Sequence, residues 1–166
     1  MPRVLKPLLR YSAVAPMQHS TLKLSLIHRV GGSSGGGSWK DRWTFDFLVD
    51  GRSLADALGA SERDLVGRLD RDDRDWNAGS VRVLTGDAAP DLGDDRVMLF
   101  VCPECADLGC GAITAALRSE GDTMTWSDFK HENSYDPSMT TSFPEVGPFA
   151  FAVQPYRRVL GETAAQ

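Results

Sequence analysis

Ile113-Thr114-Ala115-Ala116-Leu117-Arg118-Ser119-Glu120-Gly121-Asp122-Thr123-Met124-Thr125-Trp126-Ser127 is the stretch whose reading decides the fold class. Residues 113–117 and 123–127 are strand-like runs, and the polar residues 119–122 between them centre on Gly121, the signal of a β-hairpin. Upstream, residues 96–101 form an apolar run of strand length after a turn-rich linker, residues 86–95, that holds Pro90 and Gly93. Downstream, Phe149, Phe151 and Val153 alternate as a last strand, and Pro155 suits the first position of a terminal helix over residues 156–160.

The N-terminal half repeats the period of two. Leu22, Leu24 and Leu26 alternate with Lys23, Ser25 and Ile27, and Trp43, Phe45, Phe47 and Val49 alternate with Arg42, Thr44, Asp46 and Leu48. These two strands face each other across residues 31–38, Gly-Gly-Ser-Ser-Gly-Gly-Gly-Ser, which read as a flexible connector. Gly31, Ser33 and Gly35 also match the G-x-S-x-G expression, but glycines surround the serine and a strand follows where a nucleophile elbow needs a helix. Ser53 can cap a short helix ending at Leu58, and Ser61 with Asp64 reads as the box-like start of a second. Residues 70–79 read as a solvated acidic loop with interspersed arginines. Asp73, Asp75 and Asn77 imitate a calcium loop, which fails because Ala78 stands where glycine is required and Leu84 where a bidentate glutamate belongs. Residues 81–84 read as a strand. The expected fold is a single α+β domain, residues 17–166, with a mostly antiparallel sheet and about three short helices. Its expected core is Leu24, Leu26, Phe45, Phe47, Leu99, Val101, Ile113, Trp126 and Phe151.

Composition sets the outer bounds. A chain of 166 residues with 42% hydrophobic and 25% charged residues can bury one core without staples. The net charge of −5 conceals an asymmetry: residues 1–40 carry Arg3, Lys6, Arg10, Lys23, Arg29 and Lys40 and no acid, so the remainder is strongly acidic. The six charges are dispersed, and an acidic body repels phosphate, so nucleic-acid binding is not expected. Residues 1–16 read as a loose basic N-terminal extension. Lys6, Pro7 and Arg10 interrupt any secretory apolar segment, and no run approaches the ~20 apolar residues that span a bilayer. Three cysteines, an odd number, agree with a reducing compartment, so the expectation is a cytoplasmic protein without a membrane partner.

Cys102-Pro103-Glu104-Cys105-Ala106-Asp107-Leu108-Gly109-Cys110 places all three cysteines within nine positions directly after an apolar strand. Three readings compete. A C-x-x-C knuckle lets two sulfurs reach one zinc ion from a single turn. Cys102, Cys105 and Cys110 would be joined by His131 as the best fourth ligand, ahead of His28, Asp107 and Glu104. The spacing and the missing fourth cysteine argue against an iron–sulfur cluster. A thiol oxidoreductase could use Cys102 and Cys105, but that motif needs a helix starting at the pair, and Gly109 and Gly111 follow too soon. The third reading is structural: small side chains at a tight corner, with no cofactor. Asp128, His131 and Glu132 form a polar set near a strand end, where Asp128 keeps the inward phase of Met124 and Trp126. No nucleophile, phosphate loop or oxyanion signature accompanies them.

The block from Cys102 to Thr114, with Thr125-Trp126-Ser127-Asp128-Phe129, Glu132-Asn133 and Gly147-Pro148-Phe149, resembles a group of short uncharacterised actinobacterial proteins. Some members bear an oxidoreductase designation. The resemblance implies a bacterial cytosolic protein and assigns no functional residue. The leading functional expectation is a non-catalytic interaction or accessory protein with an unidentified protein partner. A zinc-binding protein and a thiol oxidoreductase are the alternatives.

Overall fold

In chain order, the computed structural model, which describes residues 18–165, contains β1 (Leu22–Arg29), β2 (Gly32–Ser34), β3 (Gly37–Trp39), β4 (Arg42–Val49), β5 (Arg52–Ser53), α1 (Leu54–Leu58), β6 (Val66–Gly67), α2 (Arg74–Leu84), β7 (Arg96–Val101), β8 (Ala112–Glu120), β9 (Thr123–Glu132), β10 (Thr141–Ser142), β11 (Phe149–Ala152) and α3 (Val153–Ala164). The basic extension read at residues 1–16, with Met17, lies outside the described residues.

The strands pair antiparallel throughout. One sheet has the order β1-β4-β5, and a larger one runs β10-β9-β8-β7-β6, with β11 also on β9. Residues 66–71 join the two. Arg68 donates its amide to Leu99 O of β7 at 2.9 Å, whereas Leu69 O accepts from Phe45 N of β4 and Arg71 N donates to Trp43 O. This seam lies so close to β4 that a side chain on Gly67 would collide with the carbonyl of Phe45, which makes glycine obligatory there. One core spans both sheets and the helices that close over them. Trp126 stands at its centre, edge-on to Phe47, Phe151 and Tyr156, and its indole N–H donates to Tyr156 Oη at 3.1 Å.

The α+β class and the hairpin of residues 113–127 are as the sequence reads, with the turn at Gly121 in the left-handed region. Seven of the nine expected core residues are buried. Leu24 is only half-buried and Leu26 is 40% exposed, because β1 is an edge strand and cover falls away along it. Ser53 caps α1 by accepting from Asp56 N at 3.0 Å, and buried Asp46 ties the same turn down through Ser53 Oγ and Ala55 N.

Four local readings need correction. Residues 32–39 form a small hairpin, β2 against β3, where a loose connector was expected. Ser61 starts only a 3₁₀ turn, since Asp64 takes a left-handed conformation and the chain turns extended into β6. Residues 70–79 are not all loop: Asp73 accepts from Trp76 N and starts α2, which absorbs residues 81–84 as helix. Val153 begins α3 instead of ending a strand.

Candidate metal centre

The cysteine loop begins where β7 ends. Ala106 N donates to Cys102 O at 2.9 Å, closing a turn that puts Cys105 back over Cys102, and Ala106 itself adopts a left-handed conformation with φ of 55°. Asp107 then caps a 3₁₀ turn over Leu108–Cys110 by accepting from Gly109 N, and Cys110 N donates to Asp107 O at 3.1 Å. Two reversals in nine residues bring three thiols to one point. Their sulfurs all lie within 4.8 Å of one another, and Cys105 Sγ is 3.5 Å from Cys110 Sγ. Tetrahedral ligands at the usual Zn–S distance of ~2.3 Å stand ~3.8 Å apart, so this spacing suits one shared ion.

The loop is anchored from the other sheet. Glu104 Oε1 accepts from Arg29 at the end of β1 and from Lys40 N, both at 2.9 Å. Arg42 Nε donates to Pro103 O at 2.8 Å. The Tyr135 ring lies over Gly109, close enough that a side chain there would displace it.

The thiols differ in acidity. Burial opposes ionisation of Cys102, but hydrogen bonds from the Glu104 and Cys105 amides and from the other two thiols outweigh it and hold its pKa below the ordinary value. Cys110 is pushed up to about 12, first by its hydrogen bonds to Cys105 and Cys102 and then by the charge of Cys102. Cys102 therefore gives up its proton more readily than Cys110. Cys105 and Cys110 are exposed, so the open side of the cluster faces solvent.

His131 is not part of this group. It sits on β9 opposite Ile113, with Nε2 2.7 Å from the point a Cβ on Gly111 would occupy, and burial first, then the nearby Arg63 charge, lowers its pKa. The weaker ligand candidates are engaged elsewhere. His28 pairs with Asp41 at 2.8 Å and stacks on Trp43, Glu104 serves as the anchor described, and Asp107 caps its turn.

Asp128 does not point inward, because a bulge between Thr114 and Ala116 leaves it at a φ of 51° and passes the inward phase to Phe129. Asp128 and Glu132 instead bind the buried Arg96 guanidinium, each at 2.9 Å, and Thr114 completes that network. This cluster is a structural ion network and does not include His131.

No helix starts at Cys102, so the dipole that activates a thioredoxin-type thiol is missing; a strand end and a 3₁₀ turn take its place. Beside the thiols lies a cavity of about 190 Å³, walled by Cys102, Cys105, Arg42, Thr44, Arg68 and Trp76 among others. Asp128 and His131 do not line it. Sequence reading missed Arg42 and Thr44 because they occupy the phase of β4 that normally faces water, and Arg68 because it lies just past β6 in the short segment that joins the sheets. Among the described residues no helix is long and apolar enough to cross a membrane. No protein-family model matches this chain, and comparison with curated proteins and with solved structures gives no significant match, so the site stands on its own geometry.

Proposed function

We propose that this chain is a metal-binding protein that holds one zinc ion between Cys102, Cys105 and Cys110, with a fourth position open to solvent. The observation that carries the reading is the convergence of three sulfurs within 4.8 Å on a loop clamped from a second sheet. Thiolate is the preferred donor for zinc, and a site with three protein ligands and an open position is the arrangement zinc uses when water or a small donor completes it. His131 lies one strand away and is not required.

The experiment is the metal content of protein purified without an affinity tag, together with a thiol count before and after denaturation. One zinc per chain, lost in Cys105→Ser, supports the reading. Absence of zinc after reconstitution, with a pair of thiols that disappears on mild oxidation, would replace it with a dithiol redox function. Three freely titrating thiols and no metal would reduce the loop to architecture.

A further inference from the structure

Three thiols converge on one point, and among the described residues no fourth metal-binding side chain joins them. His131 has a ring nitrogen hydrogen-bonded to the Met139 backbone and stays outside the group. Glu104 and Asp107, the carboxylates within the loop, are held by Arg29 and Lys40 and by the Gly109 amide. Zinc takes four donors and so keeps one position open here. The site is complete as it stands only for a centre that takes three sulfurs.

Charge narrows the choice. A divalent ion on three thiolates leaves one net negative charge, and a monovalent soft ion such as copper(I) leaves two. The cations around the loop are already committed: Arg29 to Asp64 and Glu104, Arg42 to Asp70 and Pro103 O, and Lys40 to Glu104 O. A trivalent centre leaves no charge to offset. Trivalent arsenic meets both conditions, since it is thiophilic and its lone pair takes the place of a fourth donor. Cys105 and Cys110 are exposed, so such a centre can be reached from solvent.

We propose that Cys102, Cys105 and Cys110 capture trivalent arsenic, taken up as neutral arsenous acid and held as a three-coordinate trithiolate. The proposal rests on the same convergence of thiols as the zinc reading, and not on zinc being the resident ion. Arsenous acid, As(OH)3, exchanges all its hydroxyl groups: three As–S bonds form, three As–O bonds break, and each hydroxide leaves as water with one thiol proton. Arsenic stays trivalent and no sulfur is oxidised. Zinc-loaded protein reaches the same product, with solvent supplying the protons as the ion departs.

The test is sodium arsenite titrated into the reduced full chain, read by native mass spectrometry and by counting the thiols that still react with a chromogenic disulfide. One arsenic per chain should bind with loss of three hydrogens and protection of all three thiols, and zinc-loaded protein should release its ion one for one. Cys105→Ser and Cys110→Ser alter exposed side chains and should keep the circular-dichroism spectrum of the fold. Each should nevertheless weaken arsenite binding at least about 100-fold, because a third tethered donor acts at a high effective concentration. His131→Gln should bind as wild type does. The proposal is overturned if arsenite at millimolar concentration does not bind, if only two thiols are protected, if either serine variant keeps wild-type affinity, or if His131→Gln loses binding. Zinc at one per chain with no arsenic uptake overturns this proposal and leaves the metal reading standing; arsenic uptake by a chain that never holds zinc does the reverse.

Discussion

Zinc entry into the cysteine loop should release protons, and the count can be worked from the site. All three ligands must bind as thiolates, so every thiol that is protonated beforehand contributes one factor of ten in apparent affinity per pH unit. Cys110, pushed up to about 12 by its neighbours, contributes over the whole accessible range. Cys102 has a lowered pKa, so its contribution is present below that value and disappears as pH rises through it. Apparent affinity should therefore rise by at least about 100-fold per pH unit at the acidic end of the range, where Cys110 and Cys102 both give up a proton, and less steeply once Cys102 is ionised. The assay is competition against a chromophoric chelator between pH 6 and 8.5, with proton release taken from the buffer dependence of the binding enthalpy. Release of fewer than one proton, or a change below tenfold per unit, would show that the thiols are not the ligands and refute the reasoning. The same curve in Cys102→Ser should lose its inflection, because the group that titrates is gone.

Three further outcomes follow from the fold. Gly67→Ala should lower stability by about 3 kcal/mol or prevent folding, since the added methyl meets the Phe45 carbonyl; an unchanged denaturant midpoint would contradict the seam. Arg96→Met should cost about 3 kcal/mol, the lower end for a broken buried ion network, because Asp128 keeps access to water while Glu132 loses its charge partner and keeps only the Thr114 hydroxyl. Asp87, lowered to about 2 first by its hydrogen bonds from Arg157, stabilises the fold above its unfolded pKa and loses that contribution as pH falls through 2. Asp87→Asn should accordingly be less stable than wild type at pH 6 and converge with it by pH 2; a constant difference would exclude ionisation as the cause.

Residues 113–127 were legible because strand periodicity and a glycine turn agree, and the β1–β4 pairing because one phase of each strand is apolar throughout its centre. Alternation misled where backbone irregularity resets it. The bulge at Asp128 shifts every later residue of β9 by one, and nothing in Thr125-Trp126-Ser127-Asp128-Phe129 announces an extra residue. Residues 70–84 misled for a different reason: four aspartates read as a charge pattern, although a single one of them, Asp73, starts a helix. The C-x2-C-x4-C spacing identified the three thiols but not their convergence, which depends on a left-handed Ala106 and on anchors 60 to 75 positions away in Arg29, Lys40 and Arg42. His131 was placed by sequence proximity; β9 sets its Nε2 against Gly111, next to Cys110, but outside the group that the three sulfurs form. The cavity walls were invisible because Thr44 is a polar residue on the polar phase of β4 and Arg68 lies in the seam itself, and both are buried by that seam.

That seam makes the two sheets a single unfolding unit. Residues 66–68 are held by β7 and residues 69–71 by β4, so neither sheet can lose its edge without pulling the peptide that completes the other. Amide hydrogens of Phe45, Arg68 and Arg71, though they belong to different sheets, should therefore exchange with one common free energy at the top of the range for this molecule, while those of β2 and β3 exchange through small local openings.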